Sequence, residues 1–168
     1  MTLAKHSVRL PDGTESEYEV DESAPFAVAT LLYDGEHVFL TRQYRYPIDQ
    51  WIYDLPGGAG DPGEEPAEAA RRELEEELGL VAQDLRPLHT FYTNPGRSAW
   101  PVHLFTCTST TVGTAHVDDP AEQIRLVRMP LARLDALLAA HQIVDSSLLI
   151  ARAMAAVTGF LPPIRPRR

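Results

Sequence analysis

The 168-residue chain has a single cysteine, no apolar run approaching 18 residues, and one basic cluster, at its C-terminal end. Each scarcity excludes something. A lone Cys107 forbids an intramolecular disulfide, so a reducing compartment, the cytoplasm, is the simplest expectation. Its place in the strand-like Val102-His103-Leu104-Phe105-Thr106-Cys107 reads as a buried small apolar residue rather than a nucleophile. Without a long apolar run no membrane span is expected, and without a basic stretch leading into one, no signal peptide. A long nucleic-acid partner would want a basic groove, and Arg165-Pro166-Arg167-Arg168 reads instead as a terminal tail. Repeats, low-complexity tracts and obvious linkers are missing too, so one well-buried core is expected.

What the chain does have is acid. Its net charge is −9, and −6 of this falls between Gly58 and Leu80, where eight acids meet two arginines. Glu73, Glu76 and Glu77 stand at i, i+3 and i+4, which places all three carboxylates on one helix face. On an exposed surface such like-charge pairs oppose the helix by about 0.2–0.5 kcal/mol each. At roughly 5–6 Å and an effective dielectric near 20, their bare repulsion approaches about 3 kcal/mol.

Two readings compete, a solvated acidic face and carboxylates gathered around a cation. Details of the segment favour the cation. Glu65, Pro66 and Glu68 form a helix start with proline at the first position. Ala67, Ala70, Leu74 and Leu78 supply an apolar stripe, Gly79 ends the helix, and Glu75 reads as ordinary surface charge. Glu68, Arg72 and Glu76 are spaced so that the arginine bridges two acids. The segment holds no His or Cys, and hard oxygen donors favour Mg²⁺, Mn²⁺ or Ca²⁺ over zinc. So negative a field repels phosphate unless a divalent cation is bound.

Gly58 to Leu80 reads Gly, five residues, Glu, seven residues, then Arg-Glu-apolar-any-Glu-Glu-any-Gly-apolar. In this the segment resembles the Nudix box at every specified position. The resemblance implies an α/β fold, a Nudix-type α/β/α sandwich with a mixed sheet, and Mg²⁺- or Mn²⁺-dependent hydrolysis of a nucleoside diphosphate linked to another moiety. It implies that Glu73, Glu76 and Glu77 hold the metal, with the Gly57 carbonyl as a further ligand. It also implies that Arg72 and Glu64 pair to brace the loop against the helix.

The coarse pattern around the box agrees with such a sandwich. Ser7–Leu10 with Thr14–Val20, and Phe26–Tyr33 with His37–Tyr44, flank Pro11-Asp12-Gly13 and Asp34-Gly35 as hairpins. Trp51–Leu55 is a short strand entering Pro56-Gly57-Gly58, and the box helix is expected over Pro66–Leu78. Leu85–Thr93, Ala99–Thr108 and Gln123–Met129 read as strands. Leu131–Ala140 and Ser146–Val157 read as helices, the second capped by Asp145. Residues 1–24 are expected as an N-terminal hairpin, 25–160 as the hydrolase domain and 161–168 as a tail.

Val38 to Pro47, followed by Asp54-Leu55-Pro56-Gly57-Gly58, is similar to the corresponding stretch of ADP-ribose pyrophosphatases. Pro95 stands where that subfamily has a proline beyond the box, and Ile143 to Leu149 resembles its last helix entry. This similarity implies a nucleotide-sugar substrate, ADP-ribose cleaved to AMP and ribose 5-phosphate, and a homodimer with the N-terminal part in the dimer contact. Another nucleotide-sugar, a dinucleotide, or a non-catalytic ADP-ribose sensor are its alternatives. Arg45 is the candidate diphosphate clamp, with Arg42 and Pro95 as further substrate contacts. Tyr44, Tyr92 and Trp100 could stack on a base, although each reads first as core. The subfamily takes its water-activating base from a glutamate in a loop after the box. His116, Asp118, Asp119 and Glu122 fall there, with Glu122 favoured and Asp119 next. Two positions depart from the subfamily: Asp54 replaces the usual glutamate, and Gly57 a common alanine.

Overall fold

The computed structural model describes residues 2–113 and 124–164. Strands β1 (Leu3–Arg9) and β2 (Glu15–Asp21) form the first hairpin, and β1 begins well before the expected Ser7. Asp12 Oδ1 accepts the Thr14 N–H at 2.9 Å and Gly13 takes φ +86°, which closes the turn. This hairpin is a sheet of its own, and neither strand has a buried residue. Its ties to the body include Asp21 N–H on the Arg97 carbonyl at 2.8 Å and Glu19 with Arg97 at 3.4 Å.

The chain continues through β3 (Ala27–Tyr33), β4 (His37–Arg45), β5 (Gln50–Asp54), α1 (Pro66–Leu78) and β6 (Leu80–Ala82). After these come β7 (Arg86–Phe91), β8 (Val102–Cys107), β9 (Thr110–Val112), β10 (Arg125–Pro130), α2 (Leu131–Ala139) and α3 (Ser146–Val157). The main sheet runs β10-β4-β3-β8-β7, with β5 also paired to β4. β3 and β8 are parallel and the other pairs antiparallel, so the sheet is mixed.

Alternation along β3 sends neighbouring residues to opposite faces. Val28 packs with Ala69 and Ala70, and Leu32 with Leu74, on the α1 side. Ala29 and Leu31 join Leu134, Leu148, Ala151 and Ala155 from α2 and α3 on the other. Helices therefore cover both faces, as the sandwich requires.

The register of β3 and β4 creates the site. They pair only at Leu32 with Phe39 and Tyr33 with Val38, beside the Asp34-Gly35 turn. Farther along they part, and β5 lies beside β4 from Thr41–Asp54 to Arg45–Gln50. The chain after β5 then crosses to β3. Its Pro56 and Gly58 carbonyls accept the Thr30 and Val28 N–H groups, both at 2.9 Å. The box loop is thereby fastened along a buried strand.

Several expectations need correction. Ala67 is exposed, and Ala69 takes its place in the buried stripe. β6 and β9 pair in a small sheet that was not anticipated, because three-residue strands are too short to show alternation. It forms where Gly79, at φ +64°, turns the chain out of α1 and its carbonyl accepts the Gly113 N–H at 2.8 Å. β7 carries a bulge between Pro87 and His89, because proline has no N–H for the ladder. Tyr44 and Tyr92 are exposed rather than core, while Trp100 packs half-buried against it. Cys107 is buried as expected, and burial together with the Asp84 carboxyl pushes its thiol up.

Candidate functional site

Two glycines bring the main chain against the box carboxylates. Gly57 lies flat on β3 at φ +153°, and a Cβ there would stand 2.1 Å from the Val28 carbonyl oxygen. Its N–H points the other way and donates to Glu77 Oε2 at 2.9 Å. At Gly58 a Cβ would come within 2.6 Å of Glu73 Oε1. The Gly57-Gly58 turn thus abuts two of the three glutamates, with no room for side chains. Gly57→Ala should lower stability by about 2–3 kcal/mol, the combined effect of the φ and the clash. Thermal unfolding checks this, and an unchanged melting temperature would contradict it.

Arg72 is the hub of the segment. Its Nε and one terminal nitrogen grip Glu64 in two-point fashion at 3.0 and 3.1 Å. Its other terminal nitrogen reaches Glu73 Oε1 at 2.9 Å and Glu76 Oε2 at 3.0 Å. The Ala59 carbonyl accepts a further bond at 3.2 Å. Glu64 also accepts the Asp61 N–H at 2.9 Å, so the loop is folded back beneath the helix. The Arg72 hydrogen bond, then that backbone N–H, holds the Glu64 carboxyl below its ordinary value. Glu64, followed by Glu73 and Glu76, keeps Arg72 firmly charged against the opposing effect of burial. The expected Glu64–Arg72 pairing is therefore present. The expected bridge to Glu68 is not: Glu68 is exposed, and the folded-back loop offers Arg72 a two-point partner in its place.

Glu64, Arg72, Glu73, Glu76, Glu77 and Gly57 are thus brought together. Among the described residues, no three acidic, histidine or cysteine side chains stand converged as a ready metal cage. Glu73 and Glu76 are turned toward Arg72 and Glu77 toward the Gly57 amide. The donor set nevertheless fits a hard divalent cation: three carboxylates on one helical turn, against a side-chain-free backbone cradle.

The other candidates have partners of their own. Arg45 pairs with Asp54 Oδ2 at 2.7 Å, and Asp54 Oδ1 accepts the Leu55 N–H at 2.8 Å. Arg42 lies 5.5 Å from the centre of the Trp51 ring, with Arg125 at 5.7 Å from the same ring and Tyr44 beside it. Pro95 sits in the exposed turn between β7 and β8, whose Arg97 carbonyl ties to the first hairpin. His116, Asp118, Asp119 and Glu122 fall outside the described residues. Asp145 caps α3 as expected, accepting the Leu148 N–H at 2.7 Å. Burial first, then the Asp54 charge, pushes its carboxyl up to about 7, which was not anticipated, because a residue distant in sequence gives no periodic signal.

Comparison with known proteins bears on the whole arrangement. Residues 24–149 match the NUDIX domain. The chain is 39% identical over 104 residues to the ADP-ribose pyrophosphatase of Bacillus subtilis (strain 168), covering 61% of this chain and 56% of that one. It is 28% identical over 165 residues to the ADP-ribose pyrophosphatase of Mycobacterium tuberculosis, covering 96% of this chain and 80% of that one. A crystal structure of an ADP compounds hydrolase superposes with TM-score 0.77 at 26% identity, over 95% of this chain and 88% of that one. The chain spans little more than half the length of the Bacillus relative. With a domain match over most of its length and the box built as described, the chain belongs to the NUDIX family.

Proposed function

We propose that the chain is a divalent-metal-dependent hydrolase of nucleoside diphosphate sugars, with ADP-ribose cleaved by water to AMP and ribose 5-phosphate. The observation that carries this reading is the abutment of Glu73 and Glu77 on the Gly57-Gly58 turn, braced by Arg72 and Glu64. The relatives described as ADP-ribose pyrophosphatases support the substrate class.

In this reading Glu73, Glu76 and Glu77 hold Mg²⁺ or Mn²⁺, with the Gly57 carbonyl as a further ligand. The bound ion supplies positive charge and Lewis acidity at the diphosphate. Arg72 and Glu64 fix the loop against α1, so the carboxylates are positioned before substrate arrives. Arg45, with nearly half its side chain exposed, offers a planar two-point donor to the diphosphate. Arg42 and Pro95 are assigned to the substrate's periphery, and Glu122 or Asp119 to proton abstraction from the attacking water. The first hairpin buries nothing of its own, and an isolated two-stranded hairpin is only marginally stable. A second copy of the chain is its proposed partner, and the lone buried Cys107 suits a cytoplasmic setting.

A panel of nucleotide-sugars and dinucleotide polyphosphates, with product identification, tests the reading. Mg²⁺- or Mn²⁺-dependent release of AMP and ribose 5-phosphate is the expected result, abolished by a chelator. Preference for another diphosphate would change the substrate. Tight ADP-ribose binding without turnover would replace the enzyme by a sensor.

A further inference from the structure

The register of β4 and β5 starts Arg45 at the far end of the ribbon from the box. Arg45 stands opposite Gln50, beside the Tyr46–Ile48 turn, whereas Asp54 stands opposite Thr41, four residues farther in. Directly opposed residues of an antiparallel pair share a face, so Arg45, Gln43 and Thr41 lie on the same side as Gln50, Ile52 and Asp54. The buried Gln43–Ile52 pair fills the strip between the two charges. Even so, Arg45 Nη2 reaches Asp54 Oδ2 at 2.7 Å. The arginine side chain therefore lies back along the ribbon, away from the turn and toward the end of β5. Asp54 is three residues before Gly57, whose N–H meets Glu77.

Asp54 is placed to hold that course. It is only 7% exposed, and its other oxygen accepts the Leu55 N–H at 2.8 Å, so the carboxylate is fixed from both sides. Arg45 keeps nearly half its side chain exposed. A guanidinium has five N–H donors, so it can bind one carboxylate and still offer others to an anion. We propose that Asp54 is a positioning residue for Arg45, folding the guanidinium back to the Gly57 end of β5, where it meets the diphosphate of the substrate. The part played in diphosphate binding rests on the hydrolase reading given above, whereas the anchoring of Arg45 does not.

Charge and position predict opposite signs for Asp54→Asn. A carboxylate beside a guanidinium weakens its field at an anion, so a residue acting through charge alone would, when neutralised, tighten binding and lower KM. A positioning residue should do the reverse. The asparagine oxygen can keep the Leu55 bond, but its N–H₂ then faces the guanidinium, donor against donor, and Arg45 is released toward the turn. Losing one charge-assisted bond to the diphosphate corresponds to about a tenfold rise in KM. Asp54→Glu keeps the charge with a reach one methylene longer, and so should restore most of the binding.

The experiment combines ADP-ribose kinetics in Mg²⁺ with NMR of the arginine Nε–H signals of the full chain, the Arg45 signal being assigned by its loss in Arg45→Ala. Asp54→Asn should raise KM about tenfold with kcat changed far less, and Asp54→Glu should stay within about threefold of the parent. In an Arg45→Ala background Asp54→Asn should add nothing, since its effect passes through the missing guanidinium. The Arg45 signal should move when magnesium pyrophosphate is added to the parent, and far less in Asp54→Asn. A parental or lowered KM in Asp54→Asn, or a KM rise that persists without Arg45, overturns the proposal. A chain that leaves ADP-ribose uncut, with an Arg45 signal that still answers to pyrophosphate only when Asp54 is present, overturns the hydrolase reading and leaves the positioning role supported.

Discussion

Glu77→Gln should lower turnover about a thousandfold, equivalent to about 4 kcal/mol of lost transition-state stabilisation, while leaving the fold in place. Glu77 suits this purpose. Its Oε2 accepts the Gly57 N–H at 2.9 Å, and a glutamine oxygen can keep that bond. What disappears is one negative charge, and with it a hard anionic ligand for the cation. Glu73→Gln would confound the result, because Glu73 also pairs with Arg72 and lies against Gly58. Steady-state rates in saturating Mg²⁺ and Mn²⁺, beside a melting temperature within about a degree of the parent, are the required measurements. Near-parental turnover would remove the metal role assigned to this face.

That prediction also answers the cost that first marked the segment. Three carboxylates on one helical turn repel one another, and groups of the chain itself offset part of this. Arg72 stands between Glu73 and Glu76, and the Gly57 amide faces Glu77. A divalent cation would compete with Arg72 for two of the same carboxylates. Ligand binding to the folded state should then raise the melting temperature by mass action.

How far the sequence disclosed this site depended on the range of each interaction. The box helix was readable to both ends, because the signals at Pro66 and Gly79 act within a turn of the boundary. The Glu64–Arg72 brace was readable only through resemblance, since loop closure leaves no periodic trace. Gly57 was legible through resemblance as a further metal ligand, but the Val28 carbonyl it approaches became visible only with the β5-to-β3 crossing. Arg45 was singled out for its chemistry, yet its partner Asp54 comes to it only through the pairing of β4 with β5. Short-range physics is written locally in a chain, whereas buried charge pairing is written in the packing.

Arg152 is the extreme case, and Asp135→Ala should cost about 3–5 kcal/mol because of it. From sequence Arg152 is the one charged residue of its helix; in the fold it has no solvent exposure at all. Its guanidinium binds both oxygens of Asp135, at 2.7 and 2.9 Å, and the Pro162 carbonyl at 3.0 Å. Its remaining terminal nitrogen has no partner among the described residues, so the charge depends heavily on one carboxylate. Removing that carboxylate strands a cation between α2 and α3, and the melting temperature should fall by about 10 °C. Asp135→Ala/Arg152→Met separates the penalty of a stranded charge from the worth of the pair. If the charge is the problem, the double variant should regain most of the loss, since an apolar side chain of similar length can fill the α2–α3 seam. If the pair itself is strongly stabilising, it should remain nearly as unstable as the single variant. Both variants lie on the face of the sheet opposite α1, so per-molecule turnover at low temperature should be unchanged.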